Sequence, residues 1–78
     1  MSKKKISDNS LNYSKVCLTF KQKEVLKHLA KGLLNKEIAQ AMELSVSTIK
    51  LHVSGIFLRL RVKTRTAAVV KAQELGLI

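Results

Sequence analysis

The sequence predicts a small all-α domain of four helices behind a basic N-terminal tail. Three observations carry that expectation. Apolar residues recur at helical spacing in four separate stretches. Thr19, Asn35 and Ser45 stand just ahead of three of them, where a side-chain oxygen can cap orphan amides. The chain has no Pro and only three Gly, which argues against a loop-rich or all-β fold.

Residues 1–17 lack a sustained apolar period. Lys3, Lys4 and Lys5 are followed by Ser7, Asp8, Asn9, Ser10 and Asn12, so a flexible basic tail is expected. A solvated charge run is favoured there over an arm that touches DNA phosphates. The folded domain is expected over residues 18–78.

Helix one begins after Leu18. Thr19 and Gln22 have the spacing of a capping box. Val25, Leu26, Leu29, Ala30 and Leu33 then form one stripe, and Gly32 is a natural stop. Helix two takes Asn35 as its N-cap and Glu37 in its first turn, where the helix dipole favours an acid. Ile38, Ala39 and Met42 make its buried side, with Ala39 small enough to let another helix cross closely. Glu43, Leu44 and Ser45 make a tight turn.

Ser45 or a near neighbour caps helix three, expected over about residues 46–60. Ile49, Val53, Ile56, Phe57 and Leu60 form its core stripe. Ser47, Lys50, Leu51, Ser54, Leu58 and Arg61 occupy the other face, with His52 toward the flank. Helix four starts near Thr64 and runs through Ala67, Ala68, Val69, Val70, Ala72 and Leu75 to Gly76. Ala68, Ala72 and Leu75 are expected on the core. Val69, with Ala67 or Val70, is left over. That surplus suggests a homodimer face, the alternative being cover from Leu77 and Ile78.

Fifteen Lys and Arg face five acids, a formal net charge of +10. Such a surplus favours polyanionic partners: DNA, RNA or an anionic membrane surface. Composition does not choose among them. Cys17 is the one cysteine, so no internal disulfide forms, and a reducing compartment fits. No apolar run approaches the length of a bilayer span. The N-terminal lysines have no apolar core behind them, unlike a secretory signal. A cytoplasmic location is expected.

A short helix, a tight turn and an amphipathic helix make a helix-turn-helix. On its outward face Lys50 can donate to guanine O6 or N7, Leu51 can meet a thymine methyl, and Ser54 can donate or accept. Enzyme chemistry is not expected. His28 and His52 fall on different helices with no acid or nucleophile at useful spacing, and adding Cys17 does not give metal-ligand spacing. No catalytic residue, metal site or cofactor is anticipated.

Leu18-Thr19, Glu24-Val25-Leu26, Ala30-Lys31-Gly32 and Asn35-Lys36-Glu37-Ile38-Ala39 begin a pattern. It continues through Leu44-Ser45, Thr48-Ile49-Lys50-Leu51-His52-Val53, Arg65-Thr66-Ala67-Ala68-Val69 and Glu74-Leu75-Gly76-Leu77-Ile78. This run resembles the LuxR-type (GerE-type) helix-turn-helix domain of bacterial transcription regulators. The Lys-Glu-Ile-Ala block and the Ser-x-x-Thr-Ile-Lys-x-His block, at their mutual spacing, are highly specific. The promoter-reading region of sigma factors shares the four-helix plan. The Lys-x-His spacing and the terminal Leu-Gly-Leu-Ile favour the LuxR type.

The resemblance implies four helices, with the motif at about residues 35–60. It implies sequence-specific duplex DNA binding in bacterial transcription control and a nucleoid-associated location. Dimerisation through the last helix would use Val69, Val70 and Gln73. Lys50, Leu51 and Ser54, with Ser47, would face base edges. Lys36, Thr48, His52, Arg65 and Thr66 would contact or sit beside phosphates, although His52 equally suits half-buried packing. Glu37 would hold a backbone amide or a nearby cation. The implied partners are double-stranded DNA, a second copy on an inverted repeat, and RNA polymerase or another regulator, with no membrane and no small-molecule ligand. A rival from another class is an accessory protein-interaction module whose basic face binds another regulator or RNA polymerase.

Three departures from the family pattern stand out. Lys21 and Gln22 replace the usual Arg and Glu. Arg61 stands where Gly commonly ends the recognition helix, so the helix runs on or Arg61 holds a strained turn. Gly55 fills a position usually given to a larger polar residue, at roughly 1 kcal/mol of helix stability against Ala. The chain contains no receiver or ligand-sensing segment, and its only Asp is Asp8. A stand-alone regulator and a fragment of a larger one are both compatible, with the initial Met and the lysines leaning slightly to the former.

Overall fold

The computed structural model describes residues 16–78, and the lysine-rich stretch before them lies outside the described residues. Four helices follow in order: α1 Phe20–Ala30, α2 Asn35–Met42, α3 Val46–Leu60 and α4 Arg65–Glu74. Helix α3 is central and packs on each of the other three.

Three helices start on a hydroxyl cap. Thr19 Oγ1 accepts Gln22 N–H at 3.0 Å while Gln22 Oε1 accepts Thr19 N–H at 2.9 Å, the expected reciprocal box. Ser45 Oγ accepts Thr48 N–H at 3.1 Å, and Thr64 Oγ1 accepts Ala67 N–H at 3.0 Å. Helix α2 departs from expectation. Its N-cap is Leu34, not Asn35, and Asn35 is already helical. Leucine has no oxygen to offer. Glu37 instead reaches back, its Oε1 accepting Leu34 N–H at 2.7 Å. The Asn35 side chain is thereby left free to meet Arg65.

All four helices end in one way. A left-handed residue follows each helix, directly at Glu43 (φ 57°) and Arg61 (φ 58°) and after one right-handed residue, Lys31 or Leu75, at Gly32 (φ 83°) and Gly76 (φ 72°). The next amide then bonds back five residues: Leu33 to His28 at 3.2 Å, Leu44 to Ala39 at 2.9 Å, Val62 to Phe57 at 3.0 Å, Leu77 to Ala72 at 2.8 Å. This is the Schellman closure. Leu33, Leu44, Val62 and Leu77 all pack against the core, supplying its apolar clasp. Gly takes the left-handed shape freely, whereas Glu43 and Arg61 are strained in it by about 1–2 kcal/mol each. Helix α3 therefore does not run on past Leu60; Arg61 holds the strained turn.

The core consists of Leu18, Val25, Leu26, Leu29, Ile38, Ala39, Ile49, Ile56, Leu60, Ala68 and Ala72. The largest fully buried members, such as Leu26, Ile38 and Ile56, each stabilise the fold by about 1.5–3 kcal/mol. Truncating one to Ala would cost about 2–5 kcal/mol, a large share of a small domain's stability. Ala68 and Ala72 have no bulk of their own, which lets α4 lie close against α3.

Three assignments shift. Ala30 is exposed, because α1 turns its Val25, Leu26 and Leu29 stripe inward and Ala30 falls beside it. Leu75 is 40% exposed, and Leu77 is carried back to the core by the turn at Gly76. Packing also begins before Leu18. Val16 lies against the core, and the Cys17 carbonyl accepts a hydrogen bond from Arg59 Nη1 on α3.

Candidate nucleic-acid interface

Helix α3 is divided lengthwise by its own periodicity. Ile49, Ile56 and Leu60 are fully buried, and Val53 and Phe57 pack beside them. Ser47, Lys50, Leu51 and Ser54 are spaced three, one and three apart, which places them on one face. All four are exposed, Leu51 to 72%. Among the described residues none makes a side-chain hydrogen bond with another part of the domain. The same face continues through Leu58 and Arg61, both exposed.

The residues expected at phosphates are less uniform. Lys36 is exposed in the first turn of α2, and Thr66 is exposed in the first turn of α4. Thr48 is half-buried, with Oγ1 2.9 Å from the Ser45 hydroxyl, so it reinforces the start of α3. His52 is half-buried on the flank.

Arg65 is also half-buried, and its guanidinium is already engaged. Nη1 donates to the Leu33 carbonyl at 2.6 Å and Nη2 to Asn35 Oδ1 at 2.8 Å. A planar fork suits two acceptors at once. This latch ties the start of α4 to the turn before α2, and so gathers Lys36 and Thr66 at one end of the domain. The latch is not visible in the local sequence, because Arg65 lies 32 residues from Leu33 and 30 from Asn35 in the chain.

Two departures noted in the sequence meet in space. A Cβ on Gly55 would lie 2.6 Å from Gln22 Nε2. The missing side chain makes room for the Gln22 amide, whose oxygen closes the α1 cap. Gly55 thus lies on the flank of α3 toward α1, off the outward face. Nothing in the local sequence pattern links positions 22 and 55.

On α4, Val70 is 47% exposed and Gln73 is exposed, while Val69 is partly packed on the core. Val69 and Val70 line a shallow, mostly apolar groove with Leu29, Ala30 and the Arg65–Thr66 turn. The exposed Ala30 contributes to this groove. No helix of the described residues is long and apolar enough to cross a membrane.

Residues 16–72 match the family of bacterial regulatory proteins described as the luxR family. The response regulator protein VraR of Staphylococcus aureus is 44% identical over 61 residues, 78% of this chain and 29% of that protein. VraR of Staphylococcus epidermidis gives the same figures, 44% over 61 residues. The chain thus spans about three tenths of the curated relatives' length. Among solved structures, the response regulator ChrA of a heme-sensing two-component system superposes with a TM-score of 0.78 at 35% identity. That match covers 80% of this chain and 31% of the other.

Proposed function

We propose, from the premise that this chain belongs to the luxR family of bacterial regulatory proteins, that α3 enters the major groove and reads base edges with Lys50, Leu51, Ser54 and Ser47. The chain is a DNA-binding module of transcription regulation and not an enzyme. One observation supports placing base recognition on α3: its outward face is exposed and takes no part in holding the domain together. Lys50 supplies a donor for guanine, Leu51 an apolar contact for the thymine methyl, and the two serines adaptable hydrogen bonds.

Lys36, Thr66, Thr48 and His52 take the sugar-phosphate backbone, and their register orients α3. The role of Arg65 is reassigned. With two of its nitrogens committed inside the domain, it positions the Asn35–Lys36 turn. Two copies associate through Val70, Gln73 and the exposed edge of Val69, and bind an inverted repeat. Half-site centres are then about 10 base pairs apart. The protein works on the bacterial nucleoid.

The test is selection of bound sites from a randomised duplex library at about 150 mM salt, where purely electrostatic binding is weak. Recurrence of an inverted motif is expected. Enrichment of a single half-site bound by one copy would remove the dimer. Enrichment of no sequence would remove base reading by α3.

A further inference from the structure

Helix α1 carries a second basic surface that the α3 interface does not use. At about 100° per residue, Phe20, Lys23, Lys27 and Lys31 lie on the side of α1 away from its buried Val25, Leu26 and Leu29 stripe. All four are exposed, Phe20 to 73%. Helix α1 packs on α3 through the opposite side, where Gln22 meets Gly55. The ridge therefore points away from the recognition helix.

Lys27 and Lys31 stand at the C-terminal end of α1, where the dipole favours a cation, but two features of the ridge work against the helix's own stability. Lys21 and Lys23 stand in the first turn, which holds no acid. The positive end of the dipole disfavours cations there by about 0.3–1 kcal/mol each. Lys23, Lys27 and Lys31 follow one another four residues apart, and like charges at that spacing repel by about 0.2–0.5 kcal/mol per pair. Glu24, half-buried, is the only acid on the helix. An exposed Phe at the head of such a ridge adds an apolar anchor, a residue type favoured at interface centres.

We infer that this ridge docks an acidic protein segment that carries an apolar side chain, Phe20 taking the apolar group and Lys23, Lys27 and Lys31 its carboxylates. The contact is made while α3 occupies DNA, so it suits a regulator's partner in transcription. The chemistry of Phe20 distinguishes such a partner from a phosphate backbone, which would leave the ring unused.

The probe is a synthetic helical peptide of Asp and Glu with leucines at helical spacing; its control has serines for the leucines. Each is titrated into the isotope-labelled domain saturated with duplex DNA, and amide shifts are followed by NMR. Shifts confined to residues 20–31 are expected. Lys23→Gln, Lys27→Gln and Lys31→Gln together should weaken the leucine peptide by about tenfold, with thermal melts confirming that the variant folds. Phe20→Ser should abolish the advantage of the leucine peptide over its control.

The triple variant should also keep the wild-type salt dependence of DNA binding. A loss of about 2.7 in that slope, from three phosphate contacts at about 0.9 each, would assign the ridge to DNA and overturn the inference. Absence of shifts on α1 in the DNA-bound domain would overturn it as well. Failure of DNA binding by the wild-type domain would appear separately, before peptide is added, and would count against the α3 interface instead.

Discussion

Replacing Arg65 by Lys keeps the charge at the start of α4 but removes the planar fork that reaches Leu33 and Asn35. The two bonds, at 2.6 and 2.8 Å, come from a charged donor. Such bonds contribute about 1.5–3 kcal/mol each. The site is only half-buried, so solvent screening puts them at the low end. A lysine ammonium can keep one acceptor. Arg65→Lys should therefore cost about 1.5 kcal/mol, and Arg65→Gln about 3 kcal/mol. For a domain of this size, the lysine variant should melt roughly 6–12 °C lower. Circular dichroism melts would measure this, alongside DNA titrations over a range of salt. If Arg65 instead contacted a phosphate, the lysine variant would melt like wild type. The glutamine variant would lose about 0.9 from the salt slope. That pair of results would refute the latch.

Lys50→Ala should cost about 1–3 kcal/mol in binding and relax preference at one base position, whereas Lys36→Ala should weaken all sequences alike and lower the salt slope by about 0.9. Site selection and salt titration on both variants check the division of labour, which fails if they behave identically. Arg61→Gly should relieve left-handed strain and stabilise the domain by about 0.5–1 kcal/mol in urea unfolding, net of glycine's greater unfolded-state entropy. Arg61→Ala should give no such gain; an equal gain from Ala would mean that the arginine charge, not the backbone, was the burden. Gly55→Ala should be near neutral, because helix propensity gained is offset by displacing the Gln22 amide. In a Gln22→Ala background the same change should stabilise by about 1 kcal/mol, and a double-mutant cycle with no coupling would discard the contact.

Periodicity and capping chemistry carried most of the fold. The core stripe of α3 was legible because Ile49, Ile56 and Leu60 repeat at the helical period and no polar residue interrupts them. The start of α2 was not, since Asn35 is an excellent cap by residue type, yet Glu37 supplies the bond from inside the helix. At Leu75 and Leu77 the helical period misleads, because the backbone reverses at Gly76 and restarts the count. The exposed face of α3 could be read along one helix. The Arg65 latch, the Arg59 bond to the Cys17 carbonyl and the Gly55–Gln22 contact each join distant parts of the chain. A one-dimensional pattern holds no trace of them.

The repeated helix closure makes the connections a matter of length before chemistry. Between α2 and α3 the turn is Glu43, Leu44 and Ser45, with Leu44 seated on the core and Ser45 capping α3. A Glu, an Arg or a Gly all serve at the left-handed position in this one domain. Losing one residue there would be different in kind. It would rotate everything after the turn by about 100°, presenting Lys50 to the core where Ile49 should be or unseating Leu44. Natural or designed variants of this scaffold should therefore tolerate changes of letter in the turn far better than changes in its count, and insertions should collect elsewhere.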